Sequence, residues 1–309
     1  MDELSLIKKL CAQLPTSHDT IVGPGDDCAV IDLQLPDRWL LFKTDAIVEG
    51  VHFAADAPPE KIGRKAIARC LSDIAAMAGD PKHALITLGL PTGFDSDRIQ
   101  EIYRGAAAIA TAHNTAIVGG ETTTNPVLLL SIAMIGSVRK DRCILRKGGQ
   151  PGDALFVTGQ LGGSIHGKHL DFTPRLNEAV WLAEHFRPHS MIDLSDGLAS
   201  DLRHLLETNQ LGADILASAI PISLAAKIRP TTGAPAKAPL MAALTDGEDY
   251  ELLFSLAGAD AVPLLDAWKK QFPETNLSCI GKITETPGIN IRDAKGIRTL
   301  PPHGYVHFK

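Results

Sequence analysis

A cluster of polar side chains follows an apolar segment near residue 40. Thr44, Asp45, Glu49 and His52 come directly after the apolar run at 39–42. This run predicts a buried strand, and the polar residues are expected at its end. Hydroxyl and carboxylate oxygens suit Mg²⁺, which prefers oxygen ligands and keeps several waters. Taken alone, the segment is equally consistent with a solvated loop after a strand.

Four further acidic groups follow apolar or glycine-rich segments, so the pattern of an acidic group after such a segment recurs along the chain. They are Asp26 with Asp27, Asp73, Glu121, and Asp193 with Asp196. Carboxylates that converge raise one another's pKa unless a positive charge lies among them, and a bound metal ion supplies that charge. Only one of Asp26 and Asp27 is expected to line a site, because neighbours in an extended chain face opposite ways.

The bulk composition predicts a soluble, cytoplasmic protein. The 309 residues are enough for two domains, and 45% of them are apolar and 21% charged. A net charge of −6 argues against a nucleic-acid partner. The five dispersed cysteines indicate reduced thiols rather than a disulfide framework. We expect no signal peptide and no membrane partner, because the chain has no apolar run of sufficient length.

The hydrophobic spacing predicts helices and strands that position these acids. A helix over 61–79 would carry Asp73 among small apolar residues, where a carboxylate must be exposed, paired or liganded. A second helix, ending near 113, would contain Tyr103, and a strand at 116–118 would end at Gly119. The order of elements predicts an α/β (α+β) protein with a mixed-sheet domain over 1–140 and an α/β domain over 141–309.

Two segments of the second half could bind phosphate. Gly162 to Lys168 spells the start of a P-loop, but His169 stands where that motif has Ser or Thr, so we interpret it as a glycine-rich loop. Asp193, Ser195 and Asp196 lie at a predicted strand-to-helix junction, a usual place for phosphate and metal chemistry.

Taken in order, the motifs resemble the thiamine-monophosphate kinase family, within the superfamily of aminoimidazole-ribonucleotide synthetase and selenophosphate synthetase. The resemblance covers nearly the whole chain, and each motif alone is modest. The motifs are Gly25-Asp26-Asp27, Thr44-Asp45, Val48 to Phe53, Leu71 to Met77, Gly119-Gly120, Pro151-Gly152-Asp153, Pro174-Arg175, Asp193 to Leu198, and Gly247 to Leu252.

The resemblance implies two α/β domains, of which the N-terminal one forms a homodimer. It implies direct transfer of the ATP γ-phosphoryl group to thiamine phosphate, giving thiamine diphosphate. Among the metal ligands, Asp45, Asp73 and Asp196 would be central to catalysis. The implied Mg²⁺ ligands are Asp27, Thr44, Asp45, Asp73, Glu121, Asp193 and Asp196; the implied ATP contacts are Gly120, Glu121, Arg146, Ser195 and Tyr103; the implied contacts to thiamine phosphate are His52, Glu248 and Tyr305.

Four positions depart from the family's pattern. Lys43 stands where the family has a small hydroxyl residue, Glu121 where it has Asp, Cys70 where it has Asn, and Asp246 where it usually has Gly. Lys43 should face the same side as Asp45, since residues two apart in a strand share a face. Its ammonium group could point into solvent, or it could take the place of one metal ion.

These departures leave other functions open. A divergent superfamily member could phosphorylate another acceptor or make an ATP-driven amidine or thiocarboxamide. A non-catalytic nucleotide-binding relative is the third alternative. A purely structural protein is the least favoured, because buried acidic clusters are costly without a task.

Overall fold

The computed structural model describes residues 3–207, 209–228 and 237–300, and the chain divides into two compact units. We call Asp19–Cys143 with His169–Leu176 the N-terminal unit. The C-terminal unit comprises the described residues of Met1–His18, Ile144–Lys168 and Asn177–Lys309. The predicted mixed α/β class with two domains is confirmed. The predicted boundary between residues 140 and 141 stays a prediction.

Helices and strands alternate through the first half of the chain. In chain order they are α1 (Glu3–Cys11), β1 (Thr20–Val22), β2 (Ala29–Ile31), β3 (Arg38–Val48), α2 (Pro59–Ala76), β4 (Asp80–Leu90), α3 (Ser96–Ala112), β5 (Ala116–Thr124) and β6 (Leu129–Arg139). The strands form a six-stranded sheet in the order β1-β2-β3-β6-β4-β5, in which only the β4–β5 pair is parallel among the described strands.

The elements of the second half are shorter. They are β7 (Ala154–Thr158), α4 (Lys168–Asp171), α5 (Leu176–His185), β8 (Ser190–Asp193), α6 (Leu198–Glu207), β9 (Gly212–Leu216), α7 (Leu224–Lys227), α8 (Pro239–Thr245), β10 (Leu252–Leu256), α9 (Ala261–Gln271), β11 (Leu277–Thr284), β12 (Gly288–Asp293) and β13 (Gly296–Thr299). Their strands form a seven-stranded mixed sheet in the order β13-β12-β9-β11-β7-β10-β8. Leu155, Leu202 and Leu253 lie at the centre of its core, each fully buried.

Strand β3 is longer than the sequence pattern predicts. We expected a strand at 39–42 with the polar residues after its end, but the strand runs from Arg38 to Val48 and pairs with β6 along its whole length. Thr44 and Asp45 therefore lie inside the strand, and its hydrogen bonds continue through them. The predicted strand end is wrong, because polar side chains such as Thr44 and Asp45 also occur inside a hydrogen-bonded strand.

The two faces of the six-stranded sheet differ. Helices α2 and α3 cover one face, where Leu41 and Ile86 are completely buried. The opposite face, which we call the open face, exposes Phe42 (47%), Leu85 (46%) and Val118 (58%). Strand alternation accounts for this division, since neighbours along a strand point to opposite faces. Among the described residues, no helix is long and apolar enough to cross a lipid bilayer.

Candidate active site

Strand β3 and helix α2 bring two acid–base pairs together on the covered face. Lys43 and Asp45 are two residues apart on β3 and share that face. The Lys43 Nζ donates to Oδ1 of Asp73 on α2 at 2.6 Å. One turn earlier on the same helix, Arg69 Nη2 lies 2.9 Å from Oδ1 of Asp45. Two of the predicted metal ligands are thus already paired with cations of the chain.

These pairs lie in a poorly hydrated environment. The side chains of Lys43 and Asp73 are 22% and 8% exposed. Burial alone lowers the pKa of Lys43, but the negative charges of Asp73 and Asp45 outweigh it and hold that pKa above its ordinary value. Lys43 is therefore a permanent cation. Burial also raises the pKa of the Cys70 thiol far above its usual range, so Cys70 contributes no thiolate here.

Asp27 lies next to this group. Its carboxylate is 2% exposed and offers an oxygen within 4.8 Å of one from Asp73. Asp26, by contrast, is half-buried and accepts the backbone N–H of Asp27 at 3.0 Å. Of the two neighbours, Asp27 is the one beside Asp73. Two buried carboxylates at this separation form an oxygen donor set that fits Mg²⁺, with Lys43 already occupying one oxygen of Asp73.

The structure does not bring Thr44 and Glu121 to this group. Both are exposed, and both belong to the open face: Glu121 is aligned across the sheet with Ala46 through β6 and β4. A row of that kind spans about 14 Å from β3 to β5, given a spacing of about 4.8 Å between strands. The Glu121 carboxylate accepts the backbone N–H of Thr122 at 3.0 Å. Within one N-terminal unit, Glu121 and Asp45 face opposite sides.

Two predicted ATP contacts also lie in this unit. Gly120 has a packing reason to be glycine, because a Cβ there would come within 1.8 Å of the Ile86 carbonyl oxygen. Tyr103 is half-buried on α3, and burial raises the pKa of its hydroxyl. That helix is capped by Asp95, whose side chain accepts N–H groups of the first turn. Nucleotide binding by Gly120 and Tyr103 stays a prediction.

His52 is held in a tight turn after β3. The backbone N–H of Val48 donates to its Nδ1 at 3.1 Å, which in the neutral imidazole leaves the proton on Nε2. The buried Lys65 of α2 donates to the His52 carbonyl oxygen at 2.6 Å and also contacts Nδ1 of His169 at 3.0 Å. His52 is therefore fixed both through its ring and through its backbone.

The C-terminal unit has an acidic group of its own. Asp193 ends β8 and is 3% exposed, while Ser195 and Asp196 precede α6 as the sequence predicts. The Asp196 N–H donates to Oδ2 of Asp201 at 3.1 Å. Burial, followed by the charges of Asp196 and Asp193, raises the pKa of Asp201 well above its usual range, and Arg146 opposes that rise. Arg146 is thus close enough to act on this acidic group.

Glu248 is placed beside the same junction. Its backbone N–H donates to the Ser195 carbonyl oxygen at 2.7 Å, and its own backbone is left-handed with φ of 54°. The Tyr250 hydroxyl donates to Glu248 Oε1 at 3.5 Å. The structure therefore brings Ser195 and Glu248 together, although they lie far apart in the sequence. Tyr305 lies outside the described residues.

The glycine-rich loop does not act as a phosphate cradle. The N–H of Gly162 donates to both carboxylate oxygens of Asp249 at 3.0 Å, and the N–H of Gly163 donates to Asp246 at 3.0 Å. Lys168, which would bind phosphate in a P-loop, donates to Glu251 at 2.8 Å. Carboxylates of this unit occupy the groups that a nucleotide would need, so the P-loop alternative is wrong.

Known proteins are similar to this chain over almost its full length. The family described as AIR synthase related protein, N-terminal domain, matches residues 25–138. The thiamine-monophosphate kinase of Rhodopirellula baltica is 36% identical over 98% of this chain and 96% of its own length. That of Escherichia coli K12 is 33% identical over 99% and 98%. The chain belongs to the thiamine-monophosphate kinase family.

Solved structures of the family share the fold. The structure described as AaThiL complexed with AMPPCP and TMP is similar with a TM-score of 0.83 and 27% identity, over 99% of this chain and 97% of that one. The thiamine-monophosphate kinase of Stenotrophomonas maltophilia K279a is similar with a TM-score of 0.73 and 29% identity, over 94% and 96%. Because these matches cover both units, the family assignment applies to the whole chain.

Two residues of the site were missed by the sequence analysis. Arg69 is one helical turn before Asp73, a spacing that places both on the same side of α2 and could have indicated a shared site. Asp201 lies in the first turn of α6, where an acidic side chain commonly accepts a backbone N–H. Both signals are weak, since charged residues at such spacings are common on helix surfaces.

Proposed function

We propose that this chain transfers the γ-phosphoryl group of ATP to thiamine phosphate and so produces thiamine diphosphate. The observation that carries the proposal is similarity over almost the entire length to thiamine-monophosphate kinases, at up to 36% identity among those compared. A relative in complex with AMPPCP and TMP has the same fold at a TM-score of 0.83. The same similarity makes ATP the co-substrate of this chain.

The residues of both units suit this chemistry. Phosphoryl transfer needs positioning and charge neutralisation more than covalent help from the protein. Mg²⁺, when bound, would supply positive charge against the phosphates. Asp27, Asp45 and Asp73 are the ligands that we propose for it in the N-terminal unit. In the C-terminal unit we propose Asp193 and Asp196.

The remaining predicted contacts would hold the two substrates. Arg146 fits as a clamp on the ATP phosphates, since its planar guanidinium can bind two oxygens at once. His52 would offer its ring N–H to thiamine phosphate, with Glu248 as a second contact. The acceptor is a phosphate oxygen that is already ionised at neutral pH, so this chain needs no dedicated general base.

We further propose that the enzyme is a cytoplasmic homodimer that pairs through the open face. The support is the row of apolar side chains left exposed there: Phe42, Leu85 and Val118. Exposed apolar patches of this kind commonly mark a protein–protein interface. Pairing would also cover Thr44 and Glu121, which lie on that face. The free state of all five cysteines is consistent with a reducing compartment.

A panel of acceptors tests the proposed reaction. The protein is incubated with ATP and Mg²⁺ together with thiamine phosphate or with thiamine, and the products are separated by chromatography. We expect thiamine diphosphate from the first acceptor and no product from the second, because only the first presents an ionised phosphate oxygen. Absence of product from thiamine phosphate, with nucleotide binding retained, would instead support the non-catalytic alternative.

A further inference from the structure

Two cations of the chain are built into the carboxylate group on the covered face. Lys43 reaches from β3 to Asp73 on α2, and Arg69 reaches from α2 to Asp45 on β3. Arg69 also donates to the Ala46 carbonyl oxygen at 3.0 Å, which fixes its guanidinium against the strand. The pairs cross between the same two elements, so each supports the position of the other.

The burial of these side chains gives the pairs a large electrostatic effect. Asp73 is 8% exposed and Arg69 14%, far from the solvent screening that weakens ion pairs at a surface. A buried carboxylate without a compensating charge is strongly disfavoured. In such a site either a metal ion or a cation of the protein must supply that charge. In this chain Lys43 supplies it for Asp73.

The local charge supports the same conclusion. Lys43 and Arg69 balance Asp45 and Asp73, so Asp27 contributes the net negative charge of these five side chains. A Mg²⁺ ion against the Lys43-bound oxygen of Asp73 would come close to an ammonium group. Two like charges about 4 Å apart repel each other much more strongly in a poorly solvated site than in water.

We infer that the Lys43 ammonium replaces one Mg²⁺ ion at Asp73, so that this enzyme binds nucleotide with one magnesium ion fewer than it would with a small hydroxyl residue at position 43. The remaining metal contacts fall to Asp27 and to the other carboxylate oxygen of Asp73. Arg69 acts in the same direction at Asp45, where it weakens rather than abolishes metal binding, because a carboxylate has a second oxygen. The inference rests on the proposed function in one respect: that function identifies ATP as the nucleotide, and therefore AMPPCP as the analogue for the test.

Metal titration tests the inference directly. Mg²⁺ is titrated by calorimetry into the wild type and into Lys43→Thr, each saturated with AMPPCP, without thiamine phosphate. We expect Lys43→Thr to bind one more Mg²⁺ per chain than the wild type. Lys82→Thr, an exposed lysine of β4, is the control and should match the wild type. Equal stoichiometry and equal affinity in the wild type and a folded Lys43→Thr would overturn the inference.

Thermal unfolding without nucleotide provides a second readout that does not depend on kinase activity. Lys43→Met keeps the length of the side chain and removes its charge. We expect both Lys43 variants to melt lower than the wild type without metal, and to gain more in melting temperature than the wild type on addition of Mg²⁺. A wild type that gains as much from Mg²⁺ as the variants would contradict the inference. Failure of the kinase reaction itself would leave both measurements interpretable.

Discussion

The N–H of Gly162 donates to both carboxylate oxygens of Asp249, at 3.0 Å each. Ser164 donates to the same carboxylate through its hydroxyl, and the whole group is buried. Burial raises the pKa of Asp249 to about 6, although Lys168 and these hydrogen bonds oppose the rise. A sequence that resembles a phosphate loop is thus a loop that binds a carboxylate of its own unit.

This relationship predicts a pH dependence of stability. The folded-state pKa of Asp249 exceeds its ordinary value of 3.8, so its favourable contribution is complete below about pH 4 and is lost as the pH rises through 6. The loss amounts to about 3 kcal/mol at most. Asp249→Asn should therefore show a flatter stability profile between pH 4 and pH 6.5 than the wild type. Urea unfolding at several pH values measures this.

The exposed Asp260 provides the control for that comparison. Asp260→Asn should keep the wild-type profile. A profile of Asp249→Asn that is as steep as that of the wild type would show that another group causes the dependence.

Replacing Asp45 should abolish most of the turnover. We predict that Asp45→Asn reduces kcat by at least about 100-fold, because a neutral amide is a weaker ligand for Mg²⁺ than a carboxylate. A loss of about 2.7 kcal/mol of transition-state stabilisation corresponds to that factor. The fold should persist, since Asn still accepts a hydrogen bond from Arg69. Steady-state kinetics and circular dichroism measure the two effects. Asp80→Asn, which removes a half-exposed pair with Arg38 on the same sheet, should leave kcat unchanged.

Glu121 should tolerate its shorter homologue. It is exposed on the open face, and its carboxylate is turned towards the N–H of Thr122. We predict that Glu121→Asp keeps kcat within about threefold of the wild type and keeps its Mg²⁺ dependence, since Glu121 and the proposed ligand Asp45 face opposite sides of the sheet. Loss of Mg²⁺ binding in this variant, measured by calorimetry, would show that Glu121 takes part in metal binding despite its place on the open face.

Lys65 should affect the binding of the acceptor through His52. Lys65→Met removes the donor to the His52 carbonyl oxygen, and a buried acceptor left without a donor costs about 1–3 kcal/mol. We predict a higher KM for thiamine phosphate with a smaller change in the KM for ATP. Lys61→Met, on the exposed side of the same helix, is the control. Equal changes in both KM values would indicate a general loss of structure instead.

The open face should control the oligomeric state. A charge at its centre would oppose burial, so we predict that Phe42→Asp is a monomer under conditions in which the wild type is a dimer. Sedimentation velocity measures the difference. Phe94 is exposed to a similar extent, 49% against 47% for Phe42, but lies outside the sheet. Phe94→Asp should remain a dimer, and a dimeric Phe42→Asp would exclude this face as the interface.

The sequence predicted those parts of the fold that depend on local pattern. The helix predicted over 61–79 corresponds to α2 (Pro59–Ala76), and the predicted helix that ends near residue 113 corresponds to α3, which ends at Ala112. The length of β3 could not be predicted, because Lys43 and Asp45 are stabilised inside the strand by Asp73 and Arg69 on a separate helix. Contacts of that kind are set by tertiary packing and leave little trace in local spacing.

In the candidate site, too, the sequence predicted some features and could not predict others. Motifs identified Asp27, Asp73 and Asp193 as candidate metal ligands, and all three are buried in the structure. Their pairing partners could not be read from the motifs, because the partners of a buried charge depend on which elements pack together. Lys43 was the exception. It departs from the family pattern, and its ammonium group donates to Asp73 rather than pointing into solvent.

One labelling experiment tests the central claim most directly. The protein is incubated with γ-labelled ATP, Mg²⁺ and thiamine phosphate, and the label is followed into nucleotide, free phosphate and thiamine diphosphate. Direct transfer predicts that the label appears in the terminal phosphate of thiamine diphosphate, in an amount equal to the ADP formed. Label released as free phosphate, or formation of AMP, would contradict the account.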